Sequence, residues 1–329
     1  MLHGRSEQMG QKRVLVCGAG GFIGNHLVKS LRDRGCYVIG ADLQFPQYSP
    51  TAAHEFHQID LADQNQARRV IVPGIDEVYQ LAADMGGAGY VFTGLNDSAI
   101  LLNSAAININ VINQVIRSEI PRVFYSSSAC MYPAHDQITA GGGQLTESLA
   151  YPAAPDSEYG WEKLFGERLF ASIQRNHGID VKIARFHNVF GPQGTYDGGR
   201  EKAPAALCRK VALVEDGGTI DIWGPGNQTR SFLYIDECLE GIHRLMASDC
   251  HVPINLGSAR MISINDLALL IARLAGKRIQ IHNIPGPVGV MGRVSDNTFI
   301  QQTLGWQPPD HLEQGLERTY QWIAHQVQR

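Results

Sequence analysis

The chain has 329 residues and a net charge of −4 with its 12 histidines taken as neutral, and 44% of its residues are hydrophobic. That composition is typical of a globular protein long enough for one large domain or two interlocked ones. Without a basic excess we expect neither nucleic acid nor an anionic membrane surface as a partner. No apolar run approaches the roughly 20 residues that a membrane span needs.

The chain begins MLHGRSEQMGQKR, which carries charge but lacks the apolar core of a secretory signal. Its six cysteines show no C-x-x-C spacing and no dense framework, so we expect neither a set of disulfides nor a metal site. These features indicate a reduced, cytoplasmic protein.

Short β-branched runs alternate with amphipathic helical runs along the first half of the chain. Strands are predicted at 13–17, 37–41, 77–82, 122–126, 181–186 and 253–257, and helices at 22–34, 97–118, 159–176 and 311–327. This alternation predicts an α/β fold with a Rossmann-type, doubly wound parallel sheet.

After residue 186 the pattern loosens into Gly/Pro-rich turns between short elements. We expect residues 1–186, with return segments near 224–257, to form the sheet domain. Residues 187–223 and 258–329 are expected to form a smaller, mixed α/β domain, interleaved with the first. It would lie against the carboxyl edge of the sheet, where open α/β folds bind their ligands.

The turn between the first strand and the first helix reads CGAGGFIG. In such a turn Gly18 makes the tight bend, Gly21 lets the backbone approach a pyrophosphate at the helix N-terminus, and Gly24 allows close helix–strand packing. Phe22 and Ile23, in the first helical turn, are expected to line the same dinucleotide site. The alternative is a merely tight strand–helix turn.

Asp42 ends the second strand, 18 residues after Gly24. A carboxylate there accepts hydrogen bonds from the ribose hydroxyls and repels a 2′-phosphate, and Leu43 and Gln44 offer no arginine for that phosphate. We therefore expect NAD rather than NADP. Asp60, after the third strand, is expected either to face the adenine or to be a helix N-cap.

The motif EYGWEKL gives Tyr159 and Lys163 the spacing Y-x-x-x-K, which places both side chains on one face of a helix. The lysine can lower the pKa of the phenol, so that a tyrosinate removes a hydroxyl proton while hydride leaves the same carbon. Ser128, in the strand-end segment YSSSACMYP, is the candidate to hydrogen-bond the reacting oxygen. Taken alone, the same spacing also occurs where the tyrosine is merely exposed and the lysine is solvated.

Together these motifs resemble the extended short-chain dehydrogenase/reductase family of NAD-dependent epimerases and dehydratases, which act mostly on nucleotide sugars. Further segments resemble those family members that invert a GDP-sugar at the carbons next to C4. These segments are LAADMGGAG, SSACMYP, RFHNVFGPQGTYDGGREKAPAALCRK, QTRSFLYIDEC and GRVSDN. The resemblance implies NAD as the cofactor and GDP-mannose or a related GDP-sugar as the substrate. We also expect a homodimer, formed through the helices predicted at 97–118 and 159–176.

Chemistry beyond the Tyr–Lys pair also follows from this resemblance. Transient oxidation of the sugar at C4 acidifies the hydrogens on C3 and C5, so that a base can remove one and an acid can return a proton to the opposite face. By resemblance these two groups are Cys130 and Lys202. A thiol and an amine, with ordinary pKa values of about 8.5 and about 10.4, are both tunable toward neutrality. From its own context Cys130 is equally well a small buried hydrophobe. The alternative for Lys202 is a solvated loop lysine.

The resemblance also implies a set of substrate-binding residues. Arg230 and Arg293 match guanidiniums that face the diphosphate, and Gly86 and Gly87 would let a loop backbone approach the sugar. The remaining expected substrate contacts are Ser128, Ala129, Cys130, Asn188, Glu201, Lys202, Lys210 and Gln228.

Two alternatives remain open. A C4-epimerase or a dehydratase of another nucleotide sugar needs Tyr159 and Lys163 but no Cys130–Lys202 pair. A non-catalytic NAD-sensing protein would keep the fold alone, and the intact Tyr–Lys pair argues against it.

Overall fold

The computed structural model describes residues 10–328. The charged start of the chain, which we assign to the first domain and interpret as lacking a secretory signal, lies mostly outside the described residues. Within residues 10–328 there are ten α-helices: α1 (Phe22–Asp33), α2 (Gln64–Val70), α3 (Ala88–Val91), α4 (Asp97–Arg117), α5 (Glu158–His177), α6 (Ala203–Leu213), α7 (Ile235–Met246), α8 (Ile264–Leu274), α9 (Thr298–Leu304) and α10 (Leu312–Val327).

The same part of the chain contains fifteen strands. They are β1 (Arg13–Cys17), β2 (Tyr37–Asp42), β3 (Glu55–Gln58), β4 (Glu77–Gln80), β5 (Arg122–Ser128), β6 (Gln144–Leu145), β7 (Asp180–Phe186), β8 (Val189–Phe190), β9 (Thr219–Trp223), β10 (Thr229–Ser231), β11 (Leu233–Tyr234), β12 (Ile254–Leu256), β13 (Met261–Ser263), β14 (Gln280–Ile284) and β15 (Gly292–Ser295).

In the described part of the chain, seven strands form one parallel sheet in the order β12-β7-β5-β4-β1-β2-β3. The interior strand β1 is a continuous apolar run because parallel strands are covered on both faces, and its residues from Val14 to Cys17 are buried. The helix α1 buries Leu27, Val28 and Leu31 against this sheet. The predicted Rossmann-type α/β fold is confirmed.

A second, mixed sheet carries part of the ligand cleft. Its order is β13-β10-β15-β6, with β6 parallel to β15 and Val294 opposite Gln144. The segment 129–157, between β5 and α5, therefore pairs with the C-terminal part of the chain although it precedes residue 186. This pairing brings residues that are far apart in sequence to one wall of the cleft.

Helix α4 has 21 residues and a stretch with a mean hydropathy of 1.4, so by length and composition alone it is apolar enough to cross a membrane. Half of that stretch is buried inside the protein, as in the core helix of a globular fold. Our expectation that no apolar run approaches membrane length was therefore wrong. Apolar and polar residues are mixed on both sides of α4: Asn108 and Gln114 are buried among its apolar residues, and Leu102 and Ile109 are exposed.

A buried ion pair fixes α5 on the sheet beneath the cleft. Arg185 of β7 donates from Nε and Nη2 to the two carboxylate oxygens of Glu167, each at 2.9 Å. Ser127 Oγ donates to the same carboxylate at 2.5 Å. Burial opposes the charge on Arg185, but the hydrogen bonds and charge of Glu167 raise its pKa above the ordinary value. The strand ends of β5 and β7 and the helix α5 are thus held in one register.

We predict that Glu167→Ala lowers the free energy of unfolding by about 3–5 kcal/mol, because it leaves the Arg185 guanidinium buried without its counter-charge. The exposed pair of Lys29 and Asp33 supplies the control, since Asp33→Ala should cost at most about 1 kcal/mol. Urea denaturation of both variants measures the difference. Equal losses in the two variants would contradict the role given to Glu167.

Candidate active site

A cavity of about 950 Å³ runs along the carboxyl edge of the parallel sheet and under the second sheet. Every site residue predicted from the sequence lines it, although they come from many different elements. These residues are Gly18, Gly21, Phe22, Ile23, Gly24, Asp42, Asp60, Gly86, Ser128, Ala129, Cys130, Tyr159, Lys163, Asn188, Glu201, Lys202, Lys210, Gln228, Arg230 and Arg293.

Three glycines in and after the turn that follows β1 have no room for a side chain. Gly18 has a φ of +85°, and a Cβ there would lie 2.8 Å from the backbone nitrogen of Ala82. A Cβ on Gly24 would overlap the Gly18 carbonyl oxygen, and one on Gly20 would overlap the Gln44 carbonyl oxygen. Gly20 is thus a required residue that our spacing argument did not single out. The turn leaves the start of α1 open to the cavity.

Asp42 is held by backbone donors at the end of β2. Its Oδ2 accepts a hydrogen bond from the Gly20 amide at 2.9 Å, and its Oδ1 accepts one from the Gln44 amide at 3.1 Å. Burial raises the pKa of Asp42, and these amides act in the opposite direction. The carboxylate is therefore fixed in direction beside the glycine turn.

Asp60 is not a helix N-cap, so that alternative was wrong. The cap of α2 is Asp63, whose side chain accepts hydrogen bonds from the amides of Asn65 and Gln66. Asp60 lies one turn earlier and accepts from the Ala62 amide at 2.8 Å. It lines the cavity, and its contact with adenine stays a prediction.

The first turn of α5 packs directly on the short 3₁₀ turn that follows β5. A Cβ on Gly160 would overlap the carbonyl oxygen of Cys130, so only glycine permits this approach. Ser128 caps the 3₁₀ turn and accepts a hydrogen bond from the Cys130 amide at 3.2 Å. The packing sets Tyr159 beside both residues.

Burial opposes ionisation of both members of the Tyr–Lys pair. It raises the pKa of Tyr159, with the nearby Cys130 adding to the rise and the Ser128 hydroxyl opposing it. Burial lowers the pKa of Lys163, whose Nζ donates to the Ser126 carbonyl at 3.0 Å and lies 5.7 Å from the centre of the Tyr159 ring. A positive charge entering the cleft would favour the tyrosinate.

The Cys130 sulfur has a cation beside it. Arg293, which is almost fully buried on β15, donates from Nη1 to Cys130 Sγ at 3.1 Å. Its Nε donates to Gln137 Oε1 at 2.6 Å, and its Nη2 forms an ion pair with Asp156. Our predicted diphosphate contact for Arg293 stays a prediction. Sequence reasoning missed Asp156 and Gln137, since neither belongs to a local motif.

The other predicted guanidinium, on Arg230, is held by the backbone. Its Nη1 donates to the Thr229 carbonyl at 2.8 Å, and its Nη2 donates to the carbonyls of Val288 and Val290 at 3.0 and 2.5 Å. Burial lowers the pKa of Arg230 to about 10, and the nearby charge of Arg293 adds to the fall. Two guanidiniums so close together favour an anionic ligand between or beside them.

Lys202 is the N-cap residue of α6 and directly precedes its first residue. Burial lowers the pKa of its amine, and the nearby Cys130 and Cys238 act in the opposite direction. The amine is thereby shifted toward its neutral form, in which it can accept a proton.

A glycine contact positions the segment that carries Lys202. The Gly87 amide donates to the Arg200 carbonyl at 3.0 Å, and a Cβ on Gly87 would overlap the carbonyl oxygen of Glu201. We expect these loop glycines to let the backbone approach a sugar, but the close approach of Gly87 is to the protein's own chain. The approach of Gly86 to the sugar stays a prediction.

The other predicted substrate residues each use a polar group within the protein. Glu201 Oε2 accepts a hydrogen bond from the Gly199 amide at 2.6 Å. The other three donate to backbone carbonyls: Asn188 Nδ2 to Ser231 at 2.9 Å, Lys210 Nζ to Asp221 at 2.6 Å, and Gln228 Nε2 to Trp223 at 3.0 Å. Burial lowers the pKa of Lys210. Substrate contacts by these four residues stay predictions, as does the contact of Ala129.

Comparison with known proteins gives a consistent result. The model of the NAD dependent epimerase/dehydratase family matches residues 14–257. The chain is 44% identical over 319 residues to GDP-mannose 3,5-epimerase 1 of Oryza sativa subsp. japonica and to GDP-mannose 3,5-epimerase of Arabidopsis thaliana, covering 96% of this chain and 83% of each relative. Its fold matches UDP-glucose 4-epimerase of Thermotoga maritima with a TM-score of 0.83 and 22% identity, covering 96% of this chain and 99% of that one. The chain therefore belongs to the NAD-dependent epimerase/dehydratase family.

Proposed function

We propose that this chain is an NAD-dependent isomerase that converts GDP-mannose to GDP-L-galactose, GDP-L-gulose or both, by inversion at C5 and C3. The observation that carries the proposal is that Cys130 and Lys202 line the same cavity as Tyr159 and Lys163. An enzyme that acts only at C4 needs the second pair alone. The two plant relatives, which are named for this reaction, support the choice of sugar and base.

The residues around the glycine turn fit NAD. Gly18, Gly20 and Gly24 keep the turn so closely packed on its own backbone that a side chain at any of them would disrupt it, and backbone amides hold Asp42 beside the turn. These residues would hold the dinucleotide, with the Asp42 carboxylate on the adenosine ribose. When bound, NAD supplies a hydride acceptor and donor for C4 of the sugar.

The protein's own groups move the protons. Tyr159 takes the proton of the C4 hydroxyl while Ser128 holds that oxygen, and Lys163 stabilises the tyrosinate. The C4 carbonyl makes the neighbouring C–H bonds acidic. Cys130 and Lys202 then remove a proton from one face of the ring and return one to the other, a contribution on the order of 10²–10⁴-fold.

Product analysis tests this directly. We predict that the purified protein with NAD converts GDP-mannose into sugars whose ring-proton NMR couplings show inversion at C5, alone or with C3, and leaves UDP-glucose unchanged. Conversion of GDP-mannose to a C4 epimer or a dehydrated sugar would instead support the alternative activities. No turnover of any GDP- or UDP-sugar would favour a non-catalytic NAD-binding protein.

Substitutions separate the two pairs of groups. We predict that Cys130→Ala and Lys202→Met each lower the inversion rate by at least about 100-fold, but retain the transient near-ultraviolet absorbance of reduced nicotinamide that reports oxidation at C4. Tyr159→Phe should lose both signals.

Cys36→Ala is the matched control, because Cys36 lies outside the cavity lining and should leave both signals intact. A C4-acting enzyme would be indifferent to Cys130→Ala, and full inversion by that variant would contradict the proposal.

We further propose a homodimer in the cytoplasm. The outer faces of the adjacent helices α4 and α5 expose Leu102 (69%), Ile109 (43%), Trp161 (44%) and Phe165 (46%). Leu102 and Ile109 lie on one face of α4, and Trp161 and Phe165 lie on one face of α5. Together these four exposed side chains suit an isologous contact between two copies of the chain. A reducing compartment keeps the Cys130 thiol available for proton transfer.

We predict that light scattering gives the wild-type protein twice the mass of the chain. Leu102→Glu combined with Trp161→Glu should give a monomer, because the contact would otherwise bury the new charges. Leu269→Glu, at an exposed leucine of α8, is the control and should stay dimeric. A wild-type monomer at micromolar concentration contradicts the proposed dimer.

A further inference from the structure

Asp156 belongs to no predicted motif, yet only the guanidinium of Arg293 separates it from the proposed acid–base sulfur. Its carboxylate pairs with Nη2 of Arg293, and Nη1 of the same guanidinium donates to Cys130 Sγ at 3.1 Å. The side chains of Asp156 and Arg293 are only 3% and 5% exposed. A carboxylate buried to this degree interacts strongly with its partner because little water screens it.

The geometry of Arg293 is fully determined by its partners. Gln137 Oε1 accepts from Nε at 2.6 Å, so that Gln137 and Asp156 hold two corners of the planar fork and the third corner meets the sulfur. The guanidinium therefore cannot turn toward the cavity without losing a buried hydrogen bond.

Asp156 supplies the negative charge next to the two arginines near the sulfur. The titratable groups that interact with Cys130 are Arg230 on β10, Arg293 on β15, Lys202 before α6, and Tyr159 and Lys163 on α5. Four of these groups are basic. Two carboxylates act on these groups: Asp156 on the two arginines, and Glu162 on Lys163 and Tyr159. Without the carboxylate of Asp156 the guanidinium at the sulfur would lose its counter-charge, and an unpaired cation beside a thiol favours the thiolate.

We propose, on the basis of the function proposed above, that Asp156 is a positioning and charge-balancing residue for Cys130. It orients Arg293 so that the guanidinium donates to the sulfur, and it cancels most of the charge that Arg293 brings there. The thiol is then free to give up a proton and to take one back, as an inversion cycle requires. Asp156 touches neither the substrate nor the reacting carbon.

The isosteric substitution Asp156→Asn tests the idea, because it keeps an oxygen for Arg293 Nη2 and removes the charge. The rate of Cys130 alkylation by iodoacetamide, followed by mass spectrometry of the Cys130 peptide, reports the thiolate fraction. We expect the alkylation–pH profile of Asp156→Asn to move to lower pH, with about tenfold faster alkylation below its midpoint. The Cys130-dependent limb of the inversion pH–rate profile should move the same way, and KM for the GDP-sugar should not rise.

Two controls separate charge from structure. Asp136→Asn makes the same change in the same segment at a carboxylate that lies beside His135, and Asp156→Glu retains the charge. Both are expected to keep the wild-type alkylation profile to within about twofold in rate. Arg293→Gln removes the cation and should move the profile the opposite way, to higher pH.

An unshifted alkylation profile in folded Asp156→Asn overturns the inference. If Asp156→Asn loses its native circular dichroism spectrum, the decision passes to Arg293→Gln, and an unshifted profile there overturns the inference equally. A higher KM with an unshifted profile would make Asp156 a support for diphosphate binding instead. Because alkylation needs no sugar substrate, it decides this question even if the proposed epimerase activity is absent.

Discussion

The site depends on one steric constraint, which is the contact between the first turn of α5 and the turn after β5. A side chain at Gly160 would occupy the position of the Cys130 carbonyl oxygen. Because the two backbones touch at Gly160, the phenol of Tyr159, the hydroxyl of Ser128 and the sulfur of Cys130 lie close together. The ion pair of Arg185 with Glu167 holds the same helix from below. The groups proposed to oxidise C4 and the sulfur proposed to act beside it are therefore positioned by the same packing.

A second close contact brings in the remaining group. Gly87 packs on the backbone at Glu201, and the side chain of Arg200 lies 3.9 Å from the centre of the Tyr90 ring while pairing with Asp84. These contacts tie the loop after β4 to the start of α6, where Lys202 lies. The chemistry beside C4 thus requires both halves of the fold. This distinguishes it from the dinucleotide site, which the first two strands and one helix nearly complete alone.

The parts of the site with local signals could be predicted from sequence. The glycine turn and the Tyr159–Lys163 spacing lie within single strand–helix units, so periodicity and turn chemistry identify them. Cys130 and Lys202 were found only through resemblance to a family, because nothing in their own neighbourhoods demands catalysis. Asp156 had no signal, since its partner Arg293 is 137 residues away and the two meet only when β6 pairs with β15. Long-range pairing of this kind follows from tertiary structure and not from local pattern.

The most direct test of the central claim, that a proton-transfer pair acts beside C4, is the position of solvent hydrogen in the recovered sugar. GDP-mannose would be incubated with the enzyme and NAD in D₂O, and the deuterium content at each ring carbon read by NMR. We predict deuterium at C5, at C3 or at both, and none at C4, because the hydride there does not exchange with water. A recovered sugar without deuterium at C3 and C5, from enzyme shown to bind NAD, would contradict the claim.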